Sequence, residues 1–262
     1  FFAPIVCGYH AAAADCDGLL SERLLPERVG DTPSELAERQ LGALRCQACH
    51  GRDAMPDVWS GLTLADAGGV DDEEGAVAGS VHLGRPILTH TGEKLHSEWV
   101  RRLLEGSLPY KARPEAQGRM PRFSGYAAGL AEGLAHQHGY AASDAPVVAV
   151  DAALAETGRK LTLVEGGFSC VSCHGVGAQR ALAGEDTATV NFGAVGDRLR
   201  ASYYGRYVQD PPRVAPGTMM PKFIGDDGRT AIRGVFDGDP ARQFEAIWHY
   251  LHSIRGRDVP AR

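Results

Sequence analysis

Two pentapeptides constrain this chain more than anything else in it. Cys46-Gln47-Ala48-Cys49-His50 and Cys170-Val171-Ser172-Cys173-His174 both read C-x-x-C-H. At that spacing two thiols add to the two vinyl groups of one haem, and the next residue ligates its iron. A four-thiolate zinc site built from the two C-x-x-C pairs, or a pair of redox disulfides, would use the same cysteines, but neither requires histidine at the fifth position. With 10 His in 262 residues, a given position is His about 4% of the time, so two accidental matches have a chance of about 0.15%. The expectation is two covalently bound haem c groups, with His50 and His174 as proximal ligands.

Composition bounds the rest. At 262 residues, 44% hydrophobic and 23% charged, the chain can bury a core and is long enough for two compact units. Disorder, collagen and coiled coil are excluded. The longest apolar runs, Phe1 to Val6 and Ala145 to Val150, fall far short of the roughly 18 residues of a spanning helix, so no transmembrane segment is expected. A formal charge of -6 argues against nucleic acid and suits redox proteins with a basic docking surface. The chain opens Phe1-Phe2-Ala3 with no charged-then-apolar leader, so export is expected from chemistry alone. Thioether attachment of haem normally takes place after export, which gives a periplasmic or extracellular location. In that oxidising setting Cys7 and Cys16 can close a small disulfide loop, with two unpaired thiols as the alternative.

The haem motif is part of a longer repeat. Lys94 to Gly106 aligns without gaps on Arg198 to Asp210, an amphipathic stretch with apolar residues at helical spacing. Arg119-Met120-Pro121-Arg122-Phe123 then matches Met219-Met220-Pro221-Lys222-Phe223 as Met-Pro-basic-Phe. Each unit opens with a helix, Ser34 to Leu44 and Asp151 to Leu163, and closes with one. The closing helix of the second has Asp239 as N-cap, Pro240 at its first position and a buried stripe of Phe244, Ile247, Trp248 and Leu251. Tyr126, Leu130 and Leu134 form a weaker stripe in the first. The predicted organisation is an N-terminal extension over 1–33, a first domain over 34–142 and a second over 143–262. The first domain carries an insertion from Gly51 to Gly92 with the acid run Asp71-Asp72-Glu73-Glu74, read as a solvated loop because the alternating oxygen ligands of a calcium loop are absent.

The sixth iron ligand decides whether a haem carries electrons or binds small molecules. Met120 and Met220 are the candidates. Each precedes a proline that pushes its backbone toward an extended loop, and two of only four methionines in the chain occupy equivalent positions. Met219 competes in the second unit, and His82, His90 and His96 in the first. His96 aligns with Arg200.

These residues together resemble two fused class I cytochrome c domains over roughly Ser34 to Ile254. Pro216-Gly217-Thr218-Met219-Met220-Pro221 resembles that family's Pro-Gly-Thr-x-Met loop and favours Met220 over Met219. Gly84-Arg85-Pro86-Ile87-Leu88 resembles its Gly-Pro-x-Leu segment, whose proline carbonyl accepts from the proximal histidine. The second domain has no comparable proline. The resemblance implies a mainly α fold, two tandem cytochrome c-like helical domains with long loops, and the haem ligand sets Cys46, Cys49, His50, Met120 and Cys170, Cys173, His174, Met220.

The function expected is a dihaem c-type cytochrome transferring electrons between redox partners outside the cytoplasm, without substrate chemistry of its own. The basic residues Arg198, Arg200, Arg206, Arg213 and Lys222 near the second Met loop should give haem two the higher potential. The alternatives are a dihaem peroxidase or sulfur-compound oxidoreductase with one open haem, or a polymerising cytochrome that self-associates through Phe1 to Val6 as an extracellular electron conduit.

Overall fold

The computed structural model describes residues 31–58, 85–116, 120–183 and 189–261. The described chain is mainly α-helical, and its β-structure is confined to isolated bridges. The Cys7 and Cys16 pair, the Phe1 to Val6 segment, His82 and the acid run at 71–74 lie outside the described residues. Among the described residues no helix is long and apolar enough to cross a membrane. The chain divides into two compact units that part between Asp144 and Ala145, except that Pro109–Ala116, inside the range expected for the first domain, belongs to the second unit.

The first unit is built from α1 (Pro33–Ala43), α2 (Thr91–Lys94), α3 (Ser97–Glu105) and α4 (Ala127–His136). Helix α1 starts where it does because Thr32 and Glu35 cap each other. The Glu35 amide donates to Thr32 Oγ1 at 3.3 Å and the Thr32 amide to Glu35 Oε2 at 2.8 Å, with Pro33 at the first helical position. Ala37, Gln40, Leu41 and Leu44 turn inward from α1, and Tyr126, Leu130 and Leu134 from the start and body of α4. The two helices pack together at Gly133, where an added Cβ would lie 2.2 Å from the Pro33 carbonyl oxygen.

The second unit repeats this plan with α5 (Ala152–Thr162), α6 (Val195–Arg198), α7 (Ala201–Gln209), α8 (Pro211–Val214) and α9 (Pro240–Ser253). Asp151 caps α5 by accepting from the Ala153 and Leu154 amides at 2.8 and 2.9 Å, and Asp239 caps α9 by accepting from the Ala241 amide at 2.9 Å. Helix α5 crosses α9 at Gly158, where a Cβ would stand 2.0 Å from the Ala246 carbonyl oxygen. Phe244, Ile247 and Leu251 are buried beside Leu161, Phe192 and Val195, each such side chain stabilising the unit by about 1.5–3 kcal/mol relative to exposure. Trp248 is half-buried at the edge of this core.

The repeat seen in the sequence is a repeat of structure. Helices α2 and α3 fall on α6 and α7 with one constant offset: Thr91 on Val195, Ser97 on Ala201 and Glu105 on Gln209. The segment Pro109–Ala116 enters the second unit by backbone pairing. The Lys111 amide donates to the Pro260 carbonyl at 3.1 Å and the Asn191 amide to the Ala112 carbonyl at 2.9 Å, while the Tyr110 hydroxyl donates to Asp197 at 3.1 Å.

Candidate haem sites

The two C-x-x-C-H segments share one backbone conformation. Arg45 and Ser169, each just ahead of a first cysteine, are held in the left-handed region at φ 53° and 59°, a conformation that costs a non-glycine residue roughly 1 kcal/mol and collects at functional sites. A single 3₁₀ turn follows, Cys46–Ala48 and Cys170–Ser172. The His50 amide donates to the Cys46 carbonyl at 3.0 Å and the His174 amide to the Cys170 carbonyl at 2.9 Å. Beyond each histidine comes the same reciprocal bridge, Arg52 with Met55 and Val176 with Gln179.

Both histidines are oriented through Nδ1. His50 Nδ1 lies 2.7 Å from the Pro86 carbonyl oxygen, and His174 Nδ1 lies 2.8 Å from that of Val190. A carbonyl only accepts, so Nδ1 carries the proton and Nε2 keeps the lone pair that a metal needs. Burial also pushes the His174 pKa below its usual value, which keeps the ring neutral. Phe192 stacks on that ring with centroids 4.7 Å apart. Pro86 belongs to the segment picked out in the sequence; Val190 was not picked out. It sits at the offset that relates Lys94 to Arg198, and the surrounding pairing repeats too, with Leu88 donating to Gly51 and Phe192 to Gly175, both at 2.8 Å.

In the second unit these groups meet a pocket whose walls include Cys170, His174, Met220, Phe168, Tyr204 and Phe244. The lining is apolar apart from the His174 ring and the Tyr204 hydroxyl, and that hydroxyl is used up by donating to the Phe244 carbonyl at 2.8 Å. Phe223, the last residue of Met-Pro-basic-Phe, packs against Phe168 at 4.9 Å between centroids and anchors the loop that carries Met220. The Met220 amide donates to Thr218 Oγ1 at 3.3 Å, and the Thr218 hydroxyl meets the Tyr207 hydroxyl at 3.1 Å. Met219 is 63% exposed, so of the adjacent pair only Met220 lines the pocket.

In the first unit Met120 is half-buried and lies outside any helix. Its loop is anchored by the equivalent phenylalanine: Phe123 is buried, and its amide donates to the Leu104 carbonyl at 2.8 Å. Arg85, just before Pro86, pairs at 3.2 Å with Asp57, whose side chain is fully buried. His90 lies 3.6 Å from Glu93 and 6.4 Å, centroid to centroid, from His138. His96 is a buried residue at the N-cap of α3, the place Arg200 takes before α7.

Burial pushes the Cys46 thiol up to about 11 and the Cys170 thiol up to about 12 and also raises Cys49, the opposite of the depressed values of reactive thiolates. Cys46, Cys49, Cys170 and Cys173 are all free. Among the described residues no three His, Cys, Asp or Glu side chains gather as a metal-ion site, and each C-x-x-C pair is followed by a histidine whose Nδ1 has a main-chain carbonyl partner. In the second unit a thiol, a neutral imidazole and a thioether on one apolar pocket, with a second thiol three residues after the first, suit a haem in both donor type and surroundings. Compared with protein families, characterised proteins and solved structures, the chain matches none.

Proposed function

We propose that the protein is a dihaem c-type cytochrome of the class I type that passes electrons between redox partners outside the cytoplasm. One haem would be held by Cys46, Cys49, His50 and Met120, the other by Cys170, Cys173, His174 and Met220. The observation that carries this reading is the convergence, in the second unit, of Cys170, an Nδ1-protonated His174 and Met220 on one apolar pocket. A bound haem would supply one-electron exchange at iron, and a methionine thioether among its ligands would favour the ferrous state.

The chain's own residues do three things. The carbonyls of Pro86 and Val190 hold the histidines in the ligating tautomer. Phe168, Phe223, Phe244 and their neighbours line the pocket with apolar surface, which would tune the potential of a group held there. Thr218 and Tyr207 brace the methionine loop from behind. With a histidine and a methionine available to hold each haem, the reading is of a carrier and not of an enzyme with an open site.

Absorbance spectra of the oxidised and reduced protein, with carbon monoxide added to the reduced form, test this. The expected result is two haems per chain, a methionine-ligand charge-transfer band when oxidised, and no response to carbon monoxide. Rapid carbon monoxide binding at one haem would point instead to an enzyme with an open site.

A further inference from the structure

We propose that Asn191 is a positioning residue for the proximal histidine of the second haem, acting through the backbone carbonyl of Val190; this rests on the function proposed above. His174 Nδ1 donates to Val190 O at 2.8 Å, and that bond is only as well directed as the peptide group that offers it. Asn191 is the next residue, and it is 2% exposed. Its Oδ1 accepts from the Gly177 and Gly193 amides at 3.0 and 2.9 Å, its Nδ2 donates to the Gly177 carbonyl at 2.9 Å, and its own amide donates to the Ala112 carbonyl at 2.9 Å. The side-chain amide therefore ties the loop that follows His174 to the turn at Phe192–Ala194, and the main-chain amide of the same residue ties it to the segment Pro109–Ala116. The 190–191 peptide is held on every side.

The first unit offers an internal comparison. At the offset that places Val190 on Pro86, Asn191 falls on Ile87, which is 41% exposed and has no side-chain polar atom. There the acceptor is secured from its other side, by the Arg85 pair with buried Asp57. The two proximal histidines thus share an acceptor type while its support differs: neutral amide bonds in one unit, an ion pair in the other. A ligating histidine that donates to a firmly held acceptor is a more basic ligand, and a more basic ligand favours the ferric state. Loosening the acceptor should raise the potential of that haem alone.

The test is a redox titration of the haem-loaded protein carrying Asn191→Leu, with haem content checked by intact mass. The expected result is an upward shift of the haem-two wave, with the haem-one wave in place. Asn191→Ser, which keeps a short oxygen beside the Gly177 and Gly193 amides, should show a smaller shift of the same sign. Two haems at parent potentials in both variants, whatever their stability, overturn the inference and leave the functional reading intact. A parent protein without haem overturns both. Should neither variant mature, exchange of the ring Nδ1 protons in the parent decides: slower exchange at His174 than at His50 supports the role, and the reverse order refutes it.

Discussion

One added carbon at Gly158 would force apart the two helices that frame the second unit. A Cβ built there lies 2.0 Å from the Ala246 carbonyl oxygen, 2.4 Å from its carbon and 2.7 Å from the Ile247 nitrogen. All three are backbone atoms in the middle of α9, so no side chain can swing aside and the helices must separate by an ångström or more. Overpacking of this kind costs typically 1–3 kcal/mol and occasionally more, and the separation also loosens the contacts of Leu161 with Phe244 and Ile247. Alanine gains about 1 kcal/mol of helix propensity over glycine, which leaves a net loss of up to about 2 kcal/mol for Gly158→Ala. Gly205, in α7, is the matched control, because a Cβ there meets nothing within 4 Å. Gly205→Ala should keep the propensity gain and stabilise by up to about 1 kcal/mol. Guanidinium unfolding of the two variants and the parent, followed by helical circular dichroism, should place Gly158→Ala below the parent and Gly205→Ala at or above it. A Gly158→Ala midpoint equal to that of Gly205→Ala would refute the close crossing.

Met220→Ala should open the reduced protein to carbon monoxide and lower one potential, whereas Met219→Ala, at a 63% exposed side chain, should change neither; a response in the Met219 variant would move the ligand by one residue. The wave lowered by Met220→Ala should be the higher of the two in the parent. Arg198 lies buried in that unit and, although burial and the neighbouring Arg113 push its guanidinium down to about 10, it stays positive at neutral pH and so favours ferrous iron; loss of the lower wave would reverse the order. The Asp151 carboxylate is held below its usual range because the Leu154 and Ala153 amides donate to it. A value lowered on folding adds stability above the unfolded value that is lost as pH falls through the folded one. Asp151→Ala should therefore be less stable than the parent near neutral pH, with a gap that narrows toward pH 3, as thermal melts across that range will show.

The order of elements was legible because it rests on local signals. Asp151, Asp239 and Pro240 mark helix starts by side-chain chemistry alone, and the stretch at 94–106 repeats at 198–210 strongly enough to fix the register of α3 and α7. The same register carried eight residues back would have found Val190. It stayed hidden because the acceptor is a main-chain carbonyl, which any residue can offer, and only proline signals it by type. The Thr32 and Glu35 capping box was legible but lies just ahead of the helix as read from Ser34. Two features could not be read locally. The membership of Pro109–Ala116 in the second unit depends on main-chain pairing with Pro260 and Asn191, far away in sequence. Among 33 glycines, nothing local separates Gly133 and Gly158, which sit at helix crossings, from Gly205, which meets open space.

The central claim is that both C-x-x-C-H segments carry covalent haem, and the intact mass of the protein, produced with export and a haem-attachment system, tests it most directly. The expected mass is that of the polypeptide plus two haems, retained under denaturing conditions, with Cys46→Ser together with Cys49→Ser removing one and Cys170→Ser together with Cys173→Ser removing the other. A mass equal to the bare polypeptide, or to the polypeptide with a single haem, contradicts it.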